Sequence, residues 1–220
     1  MKSEIKITNQ AGSAVIDIEG VIGIPEKMQF ETPGQRVATY TRFTEALQNI
    51  REVEAEEIIV NIRSTGGDVN DALLIYDALS ASGAVVTTRC MGYVASAATI
   101  IAQAASPGRR EISASAMYLV HCSESAAEGN SRSIMRTKEM LDATDSRIAQ
   151  IYASRSGQPE TRFVELMNEN GGNGRWMTAE EVIEAGLADG LIPSAGGKPE
   201  MAVNFESLDV MCEMLGLPLR

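Results

Sequence analysis

Short apolar runs alternate along the chain with segments whose apolar residues recur at helical spacing. Five short apolar runs, several of them rich in β-branched residues, predict strands: Ser13–Ile18, Glu57–Ile62, Val85–Met91, Ala116–Cys122 and Leu187–Pro193. Five segments predict helices: Tyr40–Asn49, Val69–Ser82, Ser96–Ala105, Ser131–Ser156 and Pro159–Asn168. This alternation is typical of an α/β domain with parallel strands.

Residues typical of turns and helix caps support these boundaries. Arg63–Asp68 is a predicted loop and Gly92–Ala95 a predicted turn, while Thr178 and Glu181 have the spacing of a capping box at a helix start. Ser131–Ser156 is a long, mainly polar segment, and its apolar positions Ile134, Leu141, Ile148, Ile151 and Tyr152 lie on one stripe. The chain is therefore predicted as one domain over residues 1–193, followed by a Gly/Pro linker and tail over 194–220.

Composition excludes several classes of protein. The 220 residues suit one domain, and a formal net charge of −11 argues against nucleic acid or anionic membrane as a partner. The sequence contains no apolar run of about 18 residues and no apolar signal-peptide core, so neither a membrane span nor secretion is expected. The three cysteines, Cys90, Cys122 and Cys212, form no metal-like cluster, which favours a reducing cytoplasm and no metal.

Two side chains could carry nucleophilic chemistry. His121 is the single histidine, so any imidazole catalysis depends on it; the alternative is a buried structural histidine. Ser96 lies at a strand-to-helix turn, where a hydroxyl faces the amides of a helix start; the alternative is an ordinary capping serine. Cys122 is a rival nucleophile, but neighbours on a strand face opposite sides, so we interpret it as a packing residue.

A glycine pair stands between a predicted strand and a predicted helix. In Ser64-Thr-Gly-Gly67 the glycines allow backbone N–H groups to approach a ligand; the alternative is a tight loop without one. A dinucleotide site is a poor fit because the G-x-G-x-x-G spacing is absent. Together, the glycine pair, the serine and the histidine could supply an oxyanion hole, a nucleophile and a base.

Several motifs over Ala14–Pro193 resemble those of ClpP-type serine peptidases, peptidase family S14. Arg63–Val69 is similar to the family's S-P-G-G-x-V loop, and Gly92–Ala97 is similar to its G-x-A-A-S-M nucleophile segment. Three further segments resemble the family's I-Y-D helix, its histidine strand and its F-L-S-A…G-L-V-D segment: Ile75–Asp77, Tyr118–His121 and Trp176–Asp189.

The resemblance implies a serine endopeptidase acting on proteins or peptides. Ser96 would be the nucleophile, His121 its general base, and the amides of Gly67 and Ala97 the oxyanion hole. It also implies an α/β fold of the ClpP/crotonase type, a spiral of ββα units, with Ser131–Ser156 as a protruding handle helix. A homo-oligomeric ring, heptameric or double, is expected, and no metal or organic cofactor is implied.

The third member of a catalytic triad is not evident. Gly174 stands where the family has an aspartate, two residues before the aromatic residue matched by Trp176. Asn173 is the predicted replacement, since an amide oxygen can orient an imidazole N–H, with Asn170 and Glu169 as alternatives. A glycine-rich loop without a catalytic role is the remaining interpretation.

Other departures bear on partners. The N-terminal segment and Pro25–Thr39 differ from the family pattern, which argues against partnership with an ATP-driven unfoldase, so the endopeptidase would be ATP-independent or only ATPase-assisted. Phage and prophage relatives that mature capsids or remove scaffold are the expected subtype. The alternative functions are a crotonase-like acyl-CoA enzyme and a non-catalytic, ring-forming assembly subunit.

Overall fold

The computed structural model describes residues 4–10, 12–23 and 55–193, together with Thr44 and Gln48. The predicted tail over 194–220, the segment 25–39 and most of the predicted helix over 40–49 lie outside these described residues. The strands and helices below all belong to the described part.

One mixed sheet organises the described residues. Its strands are β1 Glu4–Gln10, β2 Ser13–Ile22, β3 Glu57–Gly67, β4 Val85–Ala95, β5 Arg110–Ile112, β6 Met117–Val120, β7 Arg175–Met177 and β8 Gly190–Leu191. The order is β1-β2-β3-β4-β5-β8, and β6 branches off to pair with both β4 and β7. Strands β2, β3 and β4 are parallel, so the α/β prediction with parallel pairing is confirmed.

Within residues 55–193, five helices accompany the sheet. They are α1 Val69–Ser80, α2 Ala97–Ala102, α3 Ser131–Ser156, α4 Glu160–Asn168 and α5 Ala179–Glu184, with a short 3₁₀ turn at Glu169–Gly172. The predicted capping box is confirmed, because Thr178 accepts from the Glu181 amide and Glu181 accepts from the Thr178 amide. The buried alternate residues of β2, including Ile16 and Ile18, join the helices in one core.

Two predicted turns are wrong for the same reason: in both segments the backbone pairs with a neighbouring strand and so continues its own strand. The predicted loop over Arg63–Asp68 is mostly strand, because Ser64, Gly66 and Gly67 continue the pairing of β3 with β2. The predicted turn over Gly92–Ala95 is also strand. Gly92, at φ 60°, bends β4 so that its first half pairs with β5 and its last residues with β6.

Helix α3 has the predicted bounds, but its apolar stripe divides into two parts. Near its C-terminal end Ile148 and Ile151 are buried, whereas Ile134 is 48% exposed near its start. The first turns of α3 therefore extend away from the core, as a protruding helix would. Among the described helices, none combines the length and apolar character needed to cross a bilayer.

An ion pair between the buried Arg110 and the partly exposed Asp189 joins the end of the chain's described part to the sheet. Arg110 Nη2 lies 2.5 Å from Asp189 Oδ1, and Arg110 Nη1 donates to Gln103 Oε1 and to the Gly186 carbonyl at 2.9 and 2.7 Å. Burial by itself would raise the pKa of Asp189, but hydrogen bonds and charge from Arg110 outweigh it and lower that pKa. The pair thus holds β5, β8 and the end of α2 together.

Candidate active site

The ends of two neighbouring strands bring Ser96 and His121 to one edge of the sheet. Strand β4 ends at Ala95, which is paired in parallel with Leu119 of β6, and the Ser96 amide donates to the Leu119 carbonyl at 2.9 Å. Because parallel strands end at the same edge, the residues that follow them are close in space. Ser96 and His121 accordingly line one cleft of about 300 Å³.

The backbone of Ser96 is strained. Its φ of 56° and ψ of −133° lie in a region that non-glycine residues rarely occupy, at a cost of about 1–3 kcal/mol. Ser96 precedes α2, yet its hydroxyl makes no capping hydrogen bond to that helix. The interpretation as an ordinary capping serine therefore fails here, and the hydroxyl is left for the cleft.

The two glycines pack against different neighbours, Gly66 against the Ser96 turn and Gly67 against β2. A Cβ on Gly66 would lie 2.5 Å from the Ser96 Cβ and 2.9 Å from the Ala97 nitrogen. A Cβ on Gly67, at φ 141°, would lie 2.1 Å from the Ile22 carbonyl oxygen of β2. Only glycine lets the end of β3 come this close to the Ser96 turn and to β2.

The two predicted oxyanion-hole residues share this cleft with Ser96. Ala97 is the first residue of α2, so its N–H has no acceptor within the helix. Gly67 is the last residue of β3, and the end of this strand is held by the buried Ser64, whose Oγ donates to the Gly20 carbonyl at 2.5 Å. The backbones of two different elements thus border Ser96.

His121 lies just beyond the end of β6, with its side chain 17% exposed. It lines the cleft rather than the core, which argues against a purely structural histidine. Within the described residues, no hydrogen bond joins His121 to Ser96. The Glu124 carboxylate lies nearby, with its Oε1 4.0 Å from His121 Nδ1. Catalytic hydrogen bonds are often long in unliganded enzymes and shorten when substrate binds.

The structure gives the three sequence candidates for the third triad position partners other than His121. Asn173 is exposed and its Nδ2 donates to the Asn170 carbonyl at 2.9 Å. Asn170 donates to the Gly174 carbonyl at 2.8 Å, and Glu169 pairs with Arg175 at 3.0 Å. Glu124, three residues after the histidine, was not among the sequence candidates.

Gly174 is enclosed behind the histidine. At φ 63°, a Cβ on it would lie 1.9 Å from the Val120 carbonyl oxygen and 3.2 Å from the His121 Cβ. The Gly172 carbonyl in the same loop accepts from the Cys122 amide at 3.0 Å. The loop therefore supports the His121 backbone through its own main chain, and a side chain at position 174 has no space.

Cys122 lines the same cleft as His121, so the prediction that these two side chains face opposite sides is wrong. Strand β6 ends at Val120, and the alternation does not continue past the strand. Burial, with a smaller contribution from Asp145, raises the pKa of the Cys122 thiol to about 11. Such a thiol is a poor nucleophile at neutral pH, and its packing against the core agrees with our interpretation.

The apolar part of the cleft was not predicted. Val69, Ile100, Ile148 and Tyr152 line it, drawn from α1, α2 and α3. The helical stripe of α3 contained Ile148 and Tyr152, but periodicity cannot tell a cleft wall from core. Within the described residues, no three His, Cys, Asp or Glu side chains come together as a metal site requires.

Known proteins are similar to this chain over most of its length. A family model described as Clp protease matches residues 29–195. An ATP-dependent Clp protease proteolytic subunit of Leuconostoc citreum is 34% identical over 146 residues, which are 66% of this chain and 71% of that protein. Its counterpart in Ligilactobacillus salivarius is 33% identical over 62% of this chain and 68% of its own length. The protein of the same name from Chlorokybus atmophyticus is 28% identical over 78% of this chain and 85% of its own length.

Proposed function

The chain belongs to the Clp protease family, and we propose that its catalysis depends on Ser96 as nucleophile and His121 as general base. Family membership makes it a serine endopeptidase, a hydrolase of peptide bonds. The observation that carries the residue assignment is the shared ending of β4 and β6, which places both side chains in one cleft beside the glycine pair.

The proposed reaction follows from this arrangement. Ser96 Oγ attacks the scissile carbonyl while His121 accepts the hydroxyl proton, and the protonated imidazole then donates it to the leaving amine. The amides of Gly67 and Ala97 stabilise the tetrahedral oxyanion, each by about 3 kcal/mol of barrier. Water, activated by His121, then hydrolyses the acyl-enzyme and releases Ser96.

The cleft also supports a substrate class. Val69, Ile100 and Ile148 give part of it an apolar lining next to Ser96. An apolar side chain of a peptide would bury its surface there, at about 25 cal/mol per Å² removed from water. We therefore propose that the enzyme cleaves after residues with apolar side chains of moderate size.

For the third position we propose Glu124 in preference to Asn173. The Glu124 carboxylate faces Nδ1, the ring nitrogen that an orienting acid uses when Nε2 serves the nucleophile. Its side chain is 72% exposed, so it can rotate to close the 4.0 Å gap. The Asn173 amide nitrogen donates to the Asn170 carbonyl, and within the described residues no hydrogen bond joins the Asn173 side chain to His121.

Active-site labelling tests the principal assignment. A fluorophosphonate probe should modify the purified full-length protein at Ser96, as located by peptide mass spectrometry. The variant Ser96→Ala should show no adduct, and His121→Ala should react at least about a hundredfold more slowly, since a positioned base contributes that much or more. A folded protein that never labels would favour the non-catalytic subunit, and specific binding of coenzyme A would favour the acyl-CoA enzyme.

Paired variants separate the two third-position candidates. Glu124→Gln should lower kcat by about tenfold, because the neutral amide stabilises an imidazolium less than a carboxylate does. Asn173→Ala should leave kcat unchanged, and Glu128→Gln, an exposed glutamate in the same loop, is the matched control. The reverse result, a loss with Asn173→Ala only, would restore the sequence-based candidate.

Family members form oligomeric rings, and for this chain we propose a heptameric or double ring in which α3 contacts a second copy. The proposal is supported by three large apolar side chains exposed on α3: Ile134 at 48%, Met135 at 55% and Met140 at 51%. Apolar groups clustered on a surface favour burial against a partner. Light scattering at micromolar concentration should report the ring, and a monomer would contradict it.

The cellular role is proposed on narrower grounds. We propose that the protein matures phage or prophage capsids or removes their scaffold without an unfoldase. This proposal depends on sequence differences over Pro25–Thr39, which lie outside the described residues. The free thiols of Cys90 and Cys122 support a reducing, cytoplasmic setting. The relatives named above are ATP-dependent, so a requirement for an ATPase in hydrolysis of an unfolded protein would overturn the ATP-independent role.

A further inference from the structure

A chain of buried hydroxyl groups leads from α3 to the nucleophile. Thr99 Oγ1 donates to the Ser96 carbonyl at 2.5 Å and lies 2.6 Å from the Tyr152 hydroxyl. Neither residue is needed for the reaction proposed above. Thr99 is fully buried and Tyr152 is 2% exposed, so water cannot replace either partner.

The direction of these hydrogen bonds is determined by chemistry. A carbonyl oxygen only accepts, so Thr99 must use its single hydroxyl proton on Ser96. Tyr152 must then donate to Thr99. Burial, opposed in part by this hydrogen bond, raises the pKa of Tyr152, so its proton is retained across the working pH range.

The Ser96 backbone needs such support. Its φ of 56° is unfavourable for serine, and such a conformation persists only where the surroundings enforce it. The usual stabiliser at a helix start, the hydroxyl of the capping residue, is not used, because the Ser96 side chain does not cap α2. Instead the Ser96 peptide is held from both sides, by Leu119 accepting from its N–H and by Thr99 donating to its carbonyl.

We propose that Thr99 and Tyr152 are positioning residues for the nucleophile, with Tyr152 connecting α3 to the strained turn at Ser96. The link spans 53 residues of sequence between Thr99 and Tyr152. Tyr152 is itself fixed, because its ring packs against Phe163 of α4 with centroids 5.6 Å apart. This inference rests on the proposed role of Ser96 and adds to it the groups that hold the hydroxyl at the cleft.

Hydroxyl deletions test the link in the full-length protein. Tyr152→Phe and Thr99→Val should each lower kcat and the fluorophosphonate labelling rate on the order of tenfold while KM stays unchanged. The rate of the double variant should fall no further than that of the less active single variant, because both changes break the same chain of hydrogen bonds. Thr99→Ser, which keeps the hydroxyl, should recover most of the rate.

Tyr118→Phe is the matched control. Tyr118 is also fully buried and near Thr99, but its hydroxyl bonds weakly, at 3.3 Å, to the Thr99 carbonyl and not to Oγ1. It should lose thermal stability comparable with Tyr152→Phe and keep the labelling rate. Equal labelling rates in wild type, Tyr152→Phe and Thr99→Val, with only stability reduced, would overturn the proposal.

Amide hydrogen exchange tests the Tyr152–Thr99–Ser96 link without depending on enzymatic activity. Breaking the link should speed exchange at the Thr99 amide, which donates to the Ser96 carbonyl, in Tyr152→Phe relative to Tyr118→Phe. If the fluorophosphonate probe does not label the wild-type protein, the proposed function is wrong. The exchange rates of the Thr99 amide still test the hydrogen-bonded link from Tyr152 to Ser96. Equal protection in both tyrosine variants would then exclude it.

Discussion

Two polar centres lie at opposite ends of the short helix α2, and they are built in opposite ways. At its C-terminal end, Arg110 donates to Asp189, Gln103 and the Gly186 carbonyl, so the buried charge is well paired. At its N-terminal end, Ser96 has a strained backbone and no hydrogen bond to His121, while the hydroxyl and the imidazole face a cleft. Saturated buried polar groups contribute to a unique fold, whereas a catalytic centre keeps bonding capacity for its substrate.

Removing the acid from the saturated centre should have the largest effect on stability. Asp189→Ala leaves the guanidinium of Arg110 buried without its counter-ion and should cost about 3 kcal/mol. Urea denaturation measures this, with Asp142→Asn in the exposed Lys138 pair as a control expected to cost less than about 0.5 kcal/mol. Labelling of Ser96 per folded molecule should be retained, and its loss would show that the two centres are coupled.

The same pair predicts a pH dependence. Because folding lowers the pKa of Asp189 below its ordinary value of 3.8, its stabilisation is complete above that pH and is lost as pH falls through the folded-state pKa. The stability difference between wild type and Asp189→Asn should therefore be constant from pH 7 to about pH 5 and should shrink in acid. A difference that grows below pH 3.8 would have the wrong sign.

Restoring the family's aspartate should damage the candidate catalytic centre. Gly174→Asp would place a Cβ 1.9 Å from the Val120 carbonyl oxygen, so we expect a loss of about 2–3 kcal/mol and slower labelling of Ser96. Gly157→Ala is the matched control, since Gly157 has a similar φ of 71° with open space around its Cβ. It should cost about 1 kcal/mol. Faster labelling by Gly174→Asp would mean that the loop can move and admit a third triad residue.

Backbone strain at Ser96 predicts a small effect on stability, in which glycine is favoured over alanine. Ser96→Gly should be more stable than Ser96→Ala by about 1 kcal/mol, because glycine adopts a positive φ without strain. At Ser80, in the last turn of α1, the same two substitutions should rank in the opposite order by a similar amount. Thermal unfolding measures both pairs, and identical ranking at the two sites would remove strain as a property of the nucleophile turn.

Much of this molecule follows from local sequence patterns. The α/β class, the bounds of α3 and the capping box at Thr178 depend on periodicity and on residues a few positions apart, which are visible in the sequence. The candidate site also has local signs: a glycine pair, a serine at a helix start and a single histidine. Spacing and family resemblance predicted Ser96 and His121 as the candidate catalytic pair, and the structure places both side chains in one cleft.

The remaining features depend on contacts between distant segments. Strands β3 and β4 run through the predicted turns because neighbouring strands supply partners for residues with high turn propensity. In the sequence, Gly174 is recognised only as a position where the family has an aspartate. The tertiary structure brings the Val120 carbonyl so close that a side chain at this position has no space. Cys122 faces the cleft because β6 stops two residues earlier. The link from Tyr152 through Thr99 to Ser96 has no local signature, since its geometry arises only when α3 packs against α2.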